Sequence, residues 1–287
     1  MSHPLSGRTN IEHDPTSCSN DFDFESRSLR SQKQRPCAWK QFYARIADKY
    51  HCMNGDQKNL GLRVIEHLCR AGLLEPGSRI LDIGCGPGTF ALPLAGKGLE
   101  VTALDDCPEM LEQLQSRAGT GLGRNITTIC KDFEKFVPAV EYCGVFAANF
   151  PMALSTSGLK MIQKLKPGYG IVVFVDNGLN GIKEQIRQCI TGGRTDQEPK
   201  PPARFMKDLF AAERQPLNHD VISWGYIFKE KLRVLESFYV DYFSLFPPMS
   251  GDMEHRIGQI LKEFAINGTL AIKTRMKVDI LWWKNPS

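Results

Sequence analysis

The sequence predicts an α/β protein built on a doubly wound, seven-stranded, mostly parallel sheet. Three observations carry this reading. Short apolar runs alternate with amphipathic stretches from residue 79 to about 178. The first run opens directly into the glycine-rich turn "IGCGPG", and two stretches of helical periodicity precede it.

Residues 1–36 mix Ser, Asp, Asn and Arg with few, unpatterned apolar side chains, a composition that predicts a disordered or loosely packed tail. Residues 37–78 form an expected helical lid. In it "AWKQFYARIADKY" sets Trp39, Phe42, Ile46 and Ala47 at helical spacing, and "QKNLGLRVIEHLCRAGLL" repeats the period through Leu60, Val64, Ile65 and Leu68. Residues 79–178 read as the ligand-binding half of the sheet. Its strands fall at 79–83, 100–104, 126–130, 143–149 and 169–175, and its helices at about 88–97, 108–117 and 155–165. Residues 179–230 read as a helical cap inserted between strands five and six. They hold the Gly/Pro-rich linker "TGGRTDQEPKPPARF" and the stretch "ARFMKDLFAAERQPLNHDVISWGYIFKE", taken as helical. Residues 231–287 complete the sheet, with strands at "LRVLESFYVDYF" and "MKVDILWW" and a helix near "GDMEHRIGQILKEFA".

Composition narrows the function classes. The formal charge of +4 is small for 287 residues, and the Lys and Arg residues lie scattered among acids, so a polyanion partner is not implied. No apolar run approaches the roughly 18 residues of a membrane span, and the N-terminus lacks a signal-peptide pattern, so a cytoplasmic protein with no membrane partner is expected. The nine cysteines form no CxxC pair, which points to reduced thiols. Their spacing does not support a thiolate site for a soft metalloid built from Cys37, Cys52, Cys107 or Cys189, and no metal is predicted.

Chemistry concentrates around "RILDIGCGPGTFALPLAGKGLEVTALDD", residues 79–106. Gly84, Gly86 and Gly88 form a G-x-G-x-G turn that lets a ligand lie against main-chain N–H groups. It departs from the dinucleotide fingerprint G-x-G-x-x-G and lacks the Lys-Ser/Thr of a P-loop. Asp82, just before the turn, is awkward for a phosphate and well suited to an ammonium group. Asp105 ends the second strand, where an acid accepts hydrogen bonds from ribose hydroxyls. In "CKDF", Asp132 is placed to accept a purine amine and Phe133 to pack on the ring; Asp132 also reads as an ordinary helix N-cap. Together these residues describe an adenosine site with an amino-acid tail.

The segments "LDIGCGPGTFALPLA", "VTALDDCPEMLEQL" and "ICKDFEKF", in that order, resemble the class I S-adenosylmethionine-dependent methyltransferases. The resemblance covers about residues 39–178, and "VDILWWK" is similar to the family's antiparallel last strand. It implies S-adenosyl-L-methionine as cofactor, S-adenosyl-L-homocysteine as product, and in-line methyl transfer. By position, it implies that Asp82, Gly84 and Gly86 line the methionine moiety, Cys85 contributing its backbone, and that Asp105 binds the ribose. Asp106 and Met110 would flank the adenine, Asp132 would meet its amine, and Asn149 would lie beside the cofactor. The charged Asp106 departs from the apolar residue usual at its position.

The acceptor is expected to be a small molecule, with an RNA or protein acceptor and a non-catalytic cofactor-binding protein kept as alternatives. "NFPMAL" carries Asn149 as in methyltransferases of base amines, but with one proline and with Met152 where those have an aromatic. Phe150 and Met152 in this turn, and Trp224 in the insertion, are candidate substrate residues; Trp224 reads equally as core. His219, Asp220 and Asp176 are candidate bases should the acceptor lose a proton. Trp39 and Tyr50 are candidates to close over the cofactor.

Overall fold

A computed structural model describes residues 36–165, 167–191, 202–246 and 252–285. All but the last residue of the tail expected over residues 1–36, and most of the Gly/Pro-rich linker, lie outside the described residues. The described residues open with α1 (Pro36–Ile46), the one-turn α2 (His51–Asn54) and α3 (Gln57–Arg70). Alternating elements follow: β1 (Arg79–Ile83), α4 (Ala91–Gly96), β2 (Glu100–Asp105), α5 (Pro108–Leu122), β3 (Ile126–Cys130), β4 (Gly144–Ala148), α6 (Thr156–Lys164) and β5 (Tyr169–Asp176). The α5 segment loses helical geometry at Gly119, which sits at φ 56°. The remaining elements are α7 (Asn180–Thr191), α8 (Pro202–Ala212), β6 (Asn218–Lys231), α9 (Leu232–Phe243), α10 (Met253–Phe264), β7 (Ala265–Ile266) and β8 (Thr269–Lys284).

The sheet runs in the order β3-β2-β1-β4-β5-β8-β6, with the two-residue β7 pairing β8 as an eighth strand. β1 to β5 are parallel; β8 is antiparallel to β5, and β6 to β8. Strand order reverses beside β1, so the turn after β1 sits at a topological switch point, where doubly wound sheets bind ligands. Both faces are covered. On one, Ile80, Val101, Phe146, Ile171 and Val278 pack against α3 and α4; on the other, Leu81, Val145, Val172, Leu281 and Trp283 pack under α6 and α8. Trp283 lies over Gly170, where a Cβ would sit 2.1 Å from its ring, and 5.1 Å from Phe210. That close approach is why β5 carries glycine there.

Two expected elements exchange identity. Within the stretch 203–230, expected to be helical, only the first part is helix (α8); residues 218–231 are the long edge strand β6. "LRVLESFYVDYF", expected to be a strand, is the helix α9. The physical reason is the period of burial. In β6, Ile222, Trp224, Tyr226 and Phe228 turn inward while Val221, Ser223, Gly225 and Ile227 are exposed, a period of two. In α9, Leu235, Phe238, Tyr239, Tyr242 and Phe243 are buried together, the i, i+3, i+4, i+7 stripe of a helix, despite a strand-like aromatic composition.

This exchange shapes the molecule. β5 pairs β8 only as far as Asp176 opposite Lys277; beyond that point residues 269–276 of β8 pair with 224–231 of β6, with the two-residue β7 beside 269–270 at the far end. A two-stranded ribbon therefore projects past the carboxyl ends of the parallel strands. Its inward face carries Phe228, Leu270 and Ile272 into a second core with α1, α7, α9 and α10. In that core Phe42 meets Phe238 at 6.3 Å and Tyr242 at 5.8 Å, and Trp39 meets Phe246 at 6.1 Å. The ribbon thus holds an aromatic helical roof above the end of the sheet where the glycine turn emerges.

Candidate functional site

The glycine turn is built by positive φ angles, Gly84 at 66°, Gly86 at 52° and Gly88 at 83°. An L side chain at Gly84 or Gly86 would be strained, which is why this sharp exit from β1 requires glycine. The N–H groups of Gly84 and Cys85 donate to the Leu104 carbonyl (2.8 and 3.1 Å), locking the turn against the end of β2. Gly86 N–H donates to Asp105 Oδ2 (2.8 Å), and Cys107 N–H to Asp105 Oδ1 (2.9 Å). Asp105 is therefore a tether between the turn and the start of α5.

Asp82 is 1% exposed, and its Oδ2 has no hydrogen-bond partner among the described residues. Burial, reinforced by the Asp105 charge, pushes its carboxyl up to about 8. A buried acceptor left unsatisfied is costly, and a group held so far from its ordinary value marks a place prepared for a cation. Above the turn stands Tyr50. A Cβ built on Gly86 would meet nothing nearer than the Tyr50 ring, at 3.9 Å. Tyr50 is hydrogen-bonded to Asn54, and burial together with Asp105 drives its phenol upward, so it remains a neutral donor.

The lid segment that carries Tyr50 is pinned from several sides. Asn177 Nδ2 donates to the Met53 carbonyl (2.5 Å), and Tyr226 Oη donates to the Asn177 carbonyl (2.6 Å). Gln57 Nε2 donates to Thr89 Oγ1 (2.5 Å), and Trp224 Nε1 to Asp56 Oδ2 (3.2 Å). These bonds fix residues 53–57 between the glycine turn, the end of β5 and the ribbon.

The predicted residues divide into groups. Asp82, Gly84, Cys85, Gly86 and Asp105 come together at the turn, joined by Tyr50, while Trp39 turns into the aromatic core instead. Cys85 is buried, its thiol held well above its ordinary value by burial and the neighbouring acids. Phe150 packs across the turn: a Cβ on Gly84 would come within 2.9 Å of its ring, and Phe133 meets it edge-on at 5.7 Å. Asp106 is exposed, 3.7 Å from Lys40, and Met110 is buried in the core beneath α1. Asp132 Oδ1 caps the short turn after it by accepting Glu134 N–H (2.9 Å). Asn149, at φ 49°, accepts Val175 N–H on its Oδ1 (3.0 Å), which stitches β4 to β5.

The remaining candidates are placed elsewhere. His219 pairs with Asp279 (2.7 Å), and Asp220 with His67 (3.1 Å) and Trp282 (3.3 Å), all on or beside the edge strand β6. That strand is four strands from β1, roughly 19 Å across the sheet at 4.7–4.9 Å per strand. Asp176 accepts from Gly178 N–H (2.9 Å) and Asn180 (3.3 Å) in the turn after β5. Met152 packs into the core under α6, and Trp224 lies against α3 with Arg63 over its ring at 5.0 Å. Sequence reasoning missed Asn54 and Asn177. Asn177 bonds to Met53 on a distant segment, and no local motif marks either residue.

Residues 80–168 match the family model described as a methyltransferase domain. Over these residues the chain carries a methyltransferase-like domain. Among curated proteins, the chain is 33% identical over 97 residues to the 23S rRNA (uracil(1939)-C(5))-methyltransferase RlmD of Shewanella amazonensis, covering 33% of this chain and 22% of that one. It is 36% identical over 75 residues to the malonyl-[acyl-carrier protein] O-methyltransferase of Serratia marcescens, covering 26% and 28%. The matches thus span 22% and 28% of the length of these relatives. Among solved structures, the YcgJ protein of Bacillus subtilis aligns with a TM-score of 0.46 and 13% identity, over 77% of this chain and 98% of that one. Among the described residues, no helix is long and apolar enough to cross a membrane.

Proposed function

We propose that this protein binds S-adenosyl-L-methionine over the glycine turn and transfers its methyl group to a small-molecule acceptor. The observation that carries the cofactor reading is the buried, unpartnered Asp82 Oδ2 beside a turn tethered by Asp105 and faced by Tyr50 over Gly86. These groups fit the cofactor. Asp82 supplies an acceptor for its ammonium, the Asp105 carboxylate suits ribose hydroxyls, and Tyr50 stands above the turn. When bound, the cofactor supplies an electrophilic sulfonium methyl with a good leaving group.

The chain's own contribution is alignment and exclusion of water. Phe150 and Tyr50 wall the space on two sides, and the pinned lid keeps the roof in place. None of His219, Asp220 or Asp176 is free to face this space, so positioning, rather than a dedicated base among them, is the chain's part in the step. A small acceptor suits a space closed by a fixed roof. A second reading, transfer to RNA as its name states for the RlmD relative, is favoured by one feature: Lys229, Lys231, Lys273, Arg275 and Lys277 share the exposed face of the ribbon.

Titration calorimetry with S-adenosylmethionine tests the site. Asp105→Ala removes a charged acceptor worth about 1.5–3 kcal/mol, so affinity is expected to fall at least tenfold. Unchanged affinity sinks the assignment. A cofactor-turnover screen over small nucleophiles then identifies the acceptor.

A further inference from the structure

The one-turn helix α2 sets His51 and Cys52 directly after Tyr50, and Glu230 reaches them from the ribbon, 179 residues away. His51 Nε2 lies 2.5 Å from Glu230 Oε2 and 3.7 Å from Cys52 Sγ, and the three donor atoms all lie within 4.8 Å of one another. We propose that His51, Cys52 and Glu230 form a binding site for a borderline-soft divalent cation of the zinc class, which clamps the cofactor lid to the ribbon.

The donor set selects the metal. One imidazole nitrogen, one sulfur and one carboxylate oxygen are zinc's own ligand types, whereas calcium and magnesium demand six or more oxygens. Glu230 offers a single oxygen, because its Oε1 accepts Lys231 N–H (2.7 Å). Tetrahedral zinc with bonds of about 2.0–2.3 Å places its ligands about 3.3–3.7 Å apart. The His51–Cys52 separation meets this already. The His51–Glu230 contact needs to open by about an ångström, a small rotation for a glutamate, as the ion takes its place between the two side chains.

The surroundings suit a three-ligand site with one open position. Cys52 is 3% exposed and supports the cluster from the interior, while the His51 side chain is 40% exposed and leaves a path for the ion and for a water as fourth ligand. Lys49, on the turn just before the cluster, is occupied by Ser237 (2.6 Å) and Asp241 (2.9 Å). Binding through sulfur requires the thiolate, so uptake of the ion releases the Cys52 thiol proton as the sulfur–metal bond forms. Because Tyr50 directly precedes the cluster and roofs Gly86, the clamp would fix the lid over the cofactor space. Metal binding itself does not depend on the methyl-transfer reading.

The test is titration of the full chain with Co²⁺ in a thiol-free reductant. The expected result is one equivalent bound with a thiolate-to-metal charge-transfer band, displaced by Zn²⁺. Cys52→Ser abolishes the band, and Glu230→Gln, which keeps shape and packing, raises the metal dissociation constant at least tenfold. Replacing the exposed Cys37, Cys130, Cys143 and Cys189 with serine leaves the band intact. No charge-transfer band, or a band that survives Cys52→Ser, overturns the site. A metal site lost in Cys52→Ser with cofactor affinity unchanged retains the site and overturns only the clamp.

Discussion

Asp82 is the side chain on which the site's electrostatics turn. Its carboxyl titrates near 8 in the folded protein, against about 3.9 in an unfolded chain. Between those values the native state holds a proton that the unfolded state has lost, so this residue lowers stability progressively as pH rises from about 4 to about 8, and levels off above. Asp82→Asn removes that penalty. The variant is expected to melt above the wild type at pH 8, by about 2–4 °C per kcal/mol recovered, and to converge with it below pH 4. Binding runs in the opposite sense. An ammonium placed against Asp82 favours the carboxylate, so cofactor binding at pH 7 expels a proton and affinity climbs with pH toward 8. The variant binds more weakly and without that slope. Calorimetry in buffers of differing ionisation heat measures the released proton; none at pH 7 would contradict an ammonium partner for Asp82.

Among the elements, what was legible in the sequence follows from how local the constraint is. β1 to β5 fall within a residue or two of where alternation and glycines put them, because each strand announces itself by its own apolar run and its own turn. Asp82, Gly84, Gly86 and Asp105 were legible for the same reason, being consecutive or one βα unit apart. Residues 203–243 were misread because composition and period disagree there: the aromatic-rich α9 has a helical stripe, and β6 alternates inside a stretch that begins as a helix. The lid was half legible. Tyr50 was a candidate, but nothing near it in sequence announces Asn177 or Tyr226. Asn177 joins the two regions by donating to Met53 O while its Oδ1 accepts Leu179 N–H (2.9 Å). Asn177→Ala strands both backbone groups at a buried position, a loss of about 1–3 kcal/mol. The expected outcome is faster amide exchange across residues 53–57 and several-fold weaker cofactor binding, with exchange in β1 and β2 unchanged. Protection of 53–57 as strong as in the wild type would show that the lid is held without it.

At the scale of the whole molecule, the ribbon separates two surfaces with different physical tasks. Its even-numbered face is apolar and carries the lid and the aromatic roof; its odd-numbered face is exposed and carries Lys229, Lys231, Lys273, Arg275 and Lys277 with Val221 and Ile227. Cations on that face have an explanation that needs no nucleic acid. β6 is an open edge strand of 14 residues, and charged side chains along such an edge discourage pairing with another chain. They also point away from the face that roofs the glycine turn. The double variant Lys273→Glu/Arg275→Glu decides between the two roles. For a small acceptor, kcat/KM should stay within about twofold of the wild type, and exposure of the charge-reversed edge should change solubility rather than catalysis. If the face tracks a polynucleotide, wild-type affinity for a single-stranded RNA must fall steeply with salt, by a slope of about −0.7 per phosphate contacted, and the variant must lose roughly two of those contacts. A shallow slope in the wild type and unaltered turnover in the variant are the outcomes expected from the geometry, because the roof, not the charged face, encloses the reacting space.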